Sequence, residues 1–101
     1  MVREAVQRGR VLWRQHALLR ARRRGIARDL ALRAIHQGEC LEEYPAAEPF
    51  PRYLFMLDTA RGPLYVVASY DYAQDQAYVI TVRWMDPRKW SDPWTRRREV
   101  Y

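Results

Sequence analysis

The sequence predicts an α+β fold, with two or three amino-terminal helices followed by a four-stranded antiparallel sheet. Three observations lead there. Apolar residues recur at helical spacing as far as Gln37 and at period two after Gly38. Gly25 and Gly38 stand where helices would stop. Short connections then join three consecutive strand-like runs, which implies an antiparallel meander.

The elements follow in order. Val2, Ala5 and Val6 allow a short leading helix before Gly9, a poor helix-interior residue. Arg14 to Arg24 is rich in helix formers, with Ala17, Leu18, Leu19 and Ala21 as the inward face and Gly25 as the stop. Ile26 to Gln37 repeats the pattern. Ile26 precedes the cap, Asp29 favours the dipole of the first turn, and Leu30, Ala31, Ala34 and Ile35 recur at helical spacing. Glu39 to Tyr44 reads as a weak strand, and Pro45 to Pro51, with three prolines, as a loop. Tyr53 to Asp58 is apolar on both sides, as a strand covered on both faces would be. A turn at Ala60-Arg61-Gly62-Pro63 leads to strand Leu64 to Tyr70, and a loop from Asp71 to Gln76 leads to strand Ala77 to Trp84. On this last strand the more apolar set Tyr78, Ile80, Val82 and Trp84 is expected to face the helices. Val79, Thr81 and Arg83 are expected on the opposite side. The remainder, with Pro87, Trp90, Pro93 and Trp94, reads as irregular structure or a short helix wrapping the body.

A chain of 101 residues is expected to make a single domain, with its core at about 14–85 and a tail at 86–101. No apolar run approaches the roughly 20 residues needed to cross a bilayer, and the opening Met1-Val2-Arg3-Glu4-Ala5 lacks the apolar stretch of a secretory signal. The lone Cys40 cannot make an internal disulfide, so the expected compartment is cytoplasmic and the expected role of Cys40 is core filler. The net charge is +6, unevenly spread. Residues 1–36 carry ten arginines against Glu4 and Asp29, a local +8; residues 37–82 sum to −5, and residues 83–101 to +3. Such clustering is the footprint of a polyanion-binding surface. Seventeen of the eighteen basic residues are arginine, a choice that suits bidentate phosphate contacts and equally suits a GC-rich genome.

His16, Arg20 and Arg24 are spaced i, i+4, i+8, which places them within an arc of about 80° on one helical face. Histidine can move a proton near neutral pH, and two guanidinium groups can hold a phosphate and offset its developing charge. That set suits phosphodiester cleavage without a metal or cofactor; the same spacing also fits a solvated basic helix face. Arg14, Arg23 and Arg83 are candidate nucleic-acid contacts, and Thr81 a candidate hydrogen-bond donor. His36, near a helix end, reads as a cap for the dipole. Two histidines twenty residues apart and one distant cysteine match no metal-ligand spacing. No phosphate-binding glycine loop and no serine nucleophile motif is present. The aromatics Tyr44, Tyr53, Tyr65, Tyr70, Tyr72, Tyr78 and Trp84 sit on or beside strands, where they serve either as core or as base-stacking surface.

His16-Ala17, Arg20, Arg24-Gly25-Ile26 and Ala34-Ile35-x-x-Gly38-Glu39 together resemble the opening of the DUF4258 family. Tyr44-Pro45, Gly62-Pro63-Leu64, Val66-Val67, Ile80-Thr81-Val82 and Asp86-Pro87-x-x-Trp90 extend the resemblance over about residues 14–98. Members of that family look like relatives of the RelE/barnase-like group of small nucleases and toxins, which implies helices followed by a curved antiparallel sheet. It also implies His16, Arg20, Arg24 and Thr81 as site residues. The chain departs from the pattern at Tyr65, where many members are expected to carry a histidine. If that histidine takes part in proton transfer, catalysis is weakened here or Tyr65 substitutes. The expected function is therefore that of a metal-independent endoribonuclease of toxin type, with RNA as substrate and an acidic antitoxin as possible partner. The competing expectation is a non-catalytic nucleic-acid-binding or acidic-partner interaction domain.

Overall fold

The computed structural model describes residues 1–85, together with the backbone of residues 90–92 and 95–96. Three helices, α1 (Val2–Gln7), α2 (Gln15–Arg24) and α3 (Arg28–Gln37), cover one face of a sheet. That sheet comprises β1 (Val11–Trp13), β2 (Glu39–Tyr44), β3 (Arg52–Thr59), β4 (Gly62–Asp71) and β5 (Gln76–Trp84), in the order β1-β5-β4-β3-β2.

The helices, their order and the β2–β5 meander agree with the reading of the sequence; the strand count does not. A fifth strand, β1, lies between α1 and α2 and pairs parallel with β5, Val11 opposite Ala77 and Trp13 opposite Val79. The sheet is therefore mixed, not a four-stranded antiparallel one. β1 has three residues, too short for a period to register. It forms because Gly9, at φ +79°, turns the chain back after α1, and Ala77 N–H then donates to the Arg10 carbonyl at 2.9 Å. The tail also differs: Trp90–Asp92 pairs antiparallel with Thr95–Arg96 as a separate two-stranded ribbon where irregular structure or a helix was expected. The rest of the tail lies outside the described residues.

Helical packing explains which faces are buried. Val2, Ala5 and Val6 of α1 and Ala31, Ala34 and Ile35 of α3 are buried at i, i+3, i+4 spacing. They meet Tyr53, Phe55, Leu64, Val66, Ala68, Tyr70, Ala77, Val79 and Val82 from the sheet. From α2 only Ala17 and Ala21 are buried, whereas Leu19, expected inward, is 47% exposed. Two residues beyond Ala17, Leu19 sits about 200° round the helix and cannot share that face. Small alanines let α2 approach closely while leaving its long side chains outside. Gly25 ends α2 in the left-handed conformation at φ +65°, as expected. Gly38 ends α3 for a different reason. Its backbone is extended, but a Cβ there would run into the Ala34 carbonyl oxygen and lie 2.5 Å from that of Met56. Arg3 from α1 donates to the His36 carbonyl at 3.0 Å, so a guanidinium caps the end of α3 on which His36 sits.

β3 is buried on both sides, as its doubly apolar sequence predicts: Tyr53 and Phe55 face the helices, while Leu54 and Met56 join Tyr65 in a second cluster on the outer face. In β5 the alternation breaks. The register moves from Val67 opposite Thr81 to Ala68 opposite Val79, which leaves Ile80 as the extra residue of a β-bulge. The helix-facing set is therefore Ala77, Val79, Val82 and Trp84. Tyr78, assigned inward by strict alternation, turns outward, and Val79 turns inward. Thr81 and Arg83 lie on the outer face as expected, opposite Val67 and Tyr65.

The β4–β5 turn is tied to the start of the chain. Asp71 Oδ1 accepts from the backbone N–H groups of Ala73 and Gln74, at 3.0 and 3.2 Å. Asp75 accepts from Tyr70 Oη and, at 2.5 Å, from Arg8. Arg10 donates to the carbonyls of Gln74 and Asp75 at 2.7 and 2.8 Å. The Tyr70 hydrogen bond, followed by that of Arg8, holds the Asp75 carboxyl below its ordinary range. A carboxyl so lowered contributes stability above its unfolded-state value and loses it as pH falls through the folded value. Asp75→Asn should accordingly melt below wild type at about pH 7, and the gap should close at about pH 2. Thermal melts at the two pH values check this; an equal gap at both would break the assignment.

Candidate functional site

β1 pairs with β5 only as far as Val79, so among the described residues the edge of β5 from Ile80 to Trp84 has no strand on that side. An unpaired edge needs other partners for its backbone. α2 supplies them. The Arg14 N–H, at the cap just before α2, donates to the Val79 carbonyl at 3.1 Å, and Arg24, the last residue of α2, donates Nη1–H to the Val82 carbonyl at 2.5 Å. Trp84 Nε1–H returns a bond to the Arg24 carbonyl at 2.9 Å. The helix is thus pinned along the open half of β5, and its i, i+4, i+8 stripe runs along that edge.

Arg14, Gln15, His16, Arg20 and Ile80 line one shallow depression of about 440 Å³ at this edge. His16 and Arg20 are exposed, as their place one turn apart beyond the buried Ala17 face requires. Arg24 is half-buried. Burial first, then the like charges of Arg20 and Arg83, push its guanidinium below the usual arginine range. Among the described residues no carboxylate forms an ion pair with Arg20 or Arg24. Clustered guanidinium charges of this kind favour an incoming anion. Thr81 lies between Ile80 and Val82 on the same strand, half-buried on the outer face. Of the sequence-derived residues, His16, Arg20 and Arg14 thus share one depression, Arg24 couples electrostatically to Arg20 and to Arg83, and Thr81 follows the lining residue Ile80 on β5. Arg23 is exposed on α2 and does not line the depression.

Two neighbouring features escaped the sequence. The Arg14 guanidinium lies 5.1 Å from the centroid of Tyr78, and Phe50 stacks on Tyr78 with centroids 5.8 Å apart and planes 3° from parallel. The bulge at Ile80 is what sends Tyr78 to this side, and no spacing rule links it to Phe50 in the proline loop. Further across the outer face, Glu43, Tyr44, Pro45, Arg52, Leu54 and Val67 border a cavity of about 500 Å³. Val67 is the cross-strand neighbour of Thr81, so this cavity begins one strand from the basic edge. Tyr65, at the position where a histidine was expected, is 1% exposed and lies opposite Arg83.

Cys40 packs on the helix-side core, and burial raises its thiol above the ordinary range, which fits a filler and not a nucleophile. Among the described residues no group of three His, Cys, Asp or Glu side chains could hold a metal ion, and no helix is long and apolar enough to cross a membrane.

Fold and site together define a small α+β protein whose second helix, α2, lays a histidine–arginine stripe along a strand that is incompletely paired among the described residues. The family model for DUF4258, a domain of unknown function, matches residues 13–84, which span both helices of that arrangement and all four meander strands. The chain belongs to this family. No curated protein and no solved structure matches it.

Proposed function

We propose that the chain is a metal-independent endoribonuclease of toxin type, acting at the edge between α2 and β5. The observation that carries this reading is the single depression lined by Arg14, His16 and Arg20, with Arg24 already crowded by two like charges. A scissile phosphate seated there would relieve that repulsion. His16 would accept the proton of a ribose 2′-hydroxyl as its oxygen attacks phosphorus, and the leaving 5′-oxygen would take its proton from solvent water. The bond to the 5′-oxygen breaks as the 2′-oxygen bond forms, leaving a 2′,3′-cyclic phosphate and a free 5′-hydroxyl. Arg20 and Arg24 would stabilise the charge that builds on the phosphoryl oxygens, a task arginine performs without a metal. Thr81 and Arg83, on the outer face of the same strand, would position the chain leaving the site. An acidic antitoxin laid over the α2 arginines would block all of these contacts at once.

The test is incubation of the protein with single-stranded and ribosome-bound RNA in EDTA. The expected result is cleavage that persists in EDTA and leaves cyclic phosphate termini. Retention of RNA without cleavage would replace the enzyme with a binding module, and its affinity would fall steeply with salt.

A further inference from the structure

Beside the basic depression stands a layered group the proposed chemistry does not use. Arg14 is shared between the two: it lines the depression with His16 and Arg20, and its guanidinium covers the Tyr78 ring. Phe50, brought over the outer face by the loop between β2 and β3, lies parallel to the same ring. Arg14 itself is exposed, while Tyr78 and Phe50 are half-buried, so part of this group reaches solvent. Its backbone is held at two points. Tyr78 is fixed in β5 by pairing with Ser69 of β4, and Arg14 is fixed by its backbone bond to Val79.

We propose that Arg14, Tyr78 and Phe50 form a platform on which an unpaired base stacks, so that the site takes single-stranded RNA with the phosphate next to that base held by Arg20. The proposal deepens the ribonuclease reading and rests on it for the place of the phosphate. Aromatic rings and guanidinium planes both accept nucleobases, with little regard to which base is offered. A base reaches such a surface only when it is out of a helical stack. In a duplex the base faces are already occupied, so a duplex could offer this edge only its phosphates. Preference for single strands with weak sequence preference is the direct consequence. A basic helix face without the platform would bind by charge alone and would not distinguish the two.

The experiment separates stacking from cleavage by using 2′-O-methylated oligouridine, which lacks the attacking hydroxyl. Its affinity is measured beside that of its duplex with a complementary strand and that of a strand with the same phosphates but abasic sugars. The single strand should bind about tenfold more tightly than the abasic strand. Phe50→Ala should shrink that ratio while leaving abasic affinity nearly unchanged, and Arg14→Lys should shrink it too, because lysine keeps the charge and loses the plane. Thermal melts of both variants confirm that they fold, and Phe50→Ala, in a loop, keeps the test usable if Arg14→Lys does not. Equal affinity for based and abasic strands, or duplex binding as tight as single-strand binding, would overturn the platform. Base-dependent binding without cleavage of unmodified RNA would retain the platform and remove the ribonuclease.

Discussion

Phe55→Ala should lower stability by about 3–5 kcal/mol, the cost of deleting a large buried aromatic whose cavity cannot collapse. Phe55 is 1% exposed on β3, which has a strand on either side and helices above. Its ring lies 6.2 Å from that of Tyr53 and carries the Arg3 guanidinium at 5.1 Å. That arginine also donates to the end of α3, so loss of the ring frees a side chain that joins α1, α3 and β3. Tertiary pressure prevents relaxation: Cys40 and Val66 are its cross-strand partners, and both are held by neighbouring hydrogen-bonded strands. For a domain of this size each kcal/mol moves the melting temperature by about 4–8 °C, so the midpoint should fall by at least about 12 °C. Leu19→Ala is the control. Leu19 is 47% exposed on α2, and its truncation should stay within about 0.5 kcal/mol. A loss at Phe55 no larger than that at Leu19 would mean that the helix layer does not bear on β3 as described.

The sequence discloses elements where one physical signal dominates and hides them where two compete. α3 is legible because its apolar spacing, Asp29 and Gly38 all point the same way. β3 is legible because it is apolar at every position from Tyr53 to Leu57, which only double-sided burial explains. β1 is not, because three residues carry no period and its parallel partner is more than sixty residues away. Alternation also failed at Ile80, since a bulge adds one residue and reverses the face of everything before it. For the candidate site, the stripe of His16, Arg20 and Arg24 was readable from helical spacing alone. Its setting was not: that Arg24 is spent partly on the Val82 carbonyl, or that Arg14 covers Tyr78, depends on where α2 docks. The docking in turn depends on β1 ending at Trp13, which leaves the edge of β5 open.

His16→Ala should lower the cleavage rate by about 10²–10⁴-fold, the usual worth of a positioned proton-transfer group, while leaving stability unchanged. The side chain is exposed near the start of α2 and makes no hydrogen bond among the described residues, and alanine is the better helix former. Affinity for RNA should hardly move, because the phosphate contacts belong to the arginines. Arg20→Ala should act differently: it removes one phosphate contact, so both affinity and its salt dependence should fall, with the rate falling as charge stabilisation is lost. Arg24→Ala should add a structural cost of about 1 kcal/mol, since the Val82 carbonyl on the open edge loses its donor. Three neighbouring residues one turn apart would thus separate into rate, binding and stability, a split that a merely solvated basic face cannot produce. On such a face all three variants would weaken binding slightly and alike, with no cleavage for His16 to control. Rates from single-turnover cleavage, affinities at two salt concentrations and thermal melts on the same three proteins decide between the two accounts.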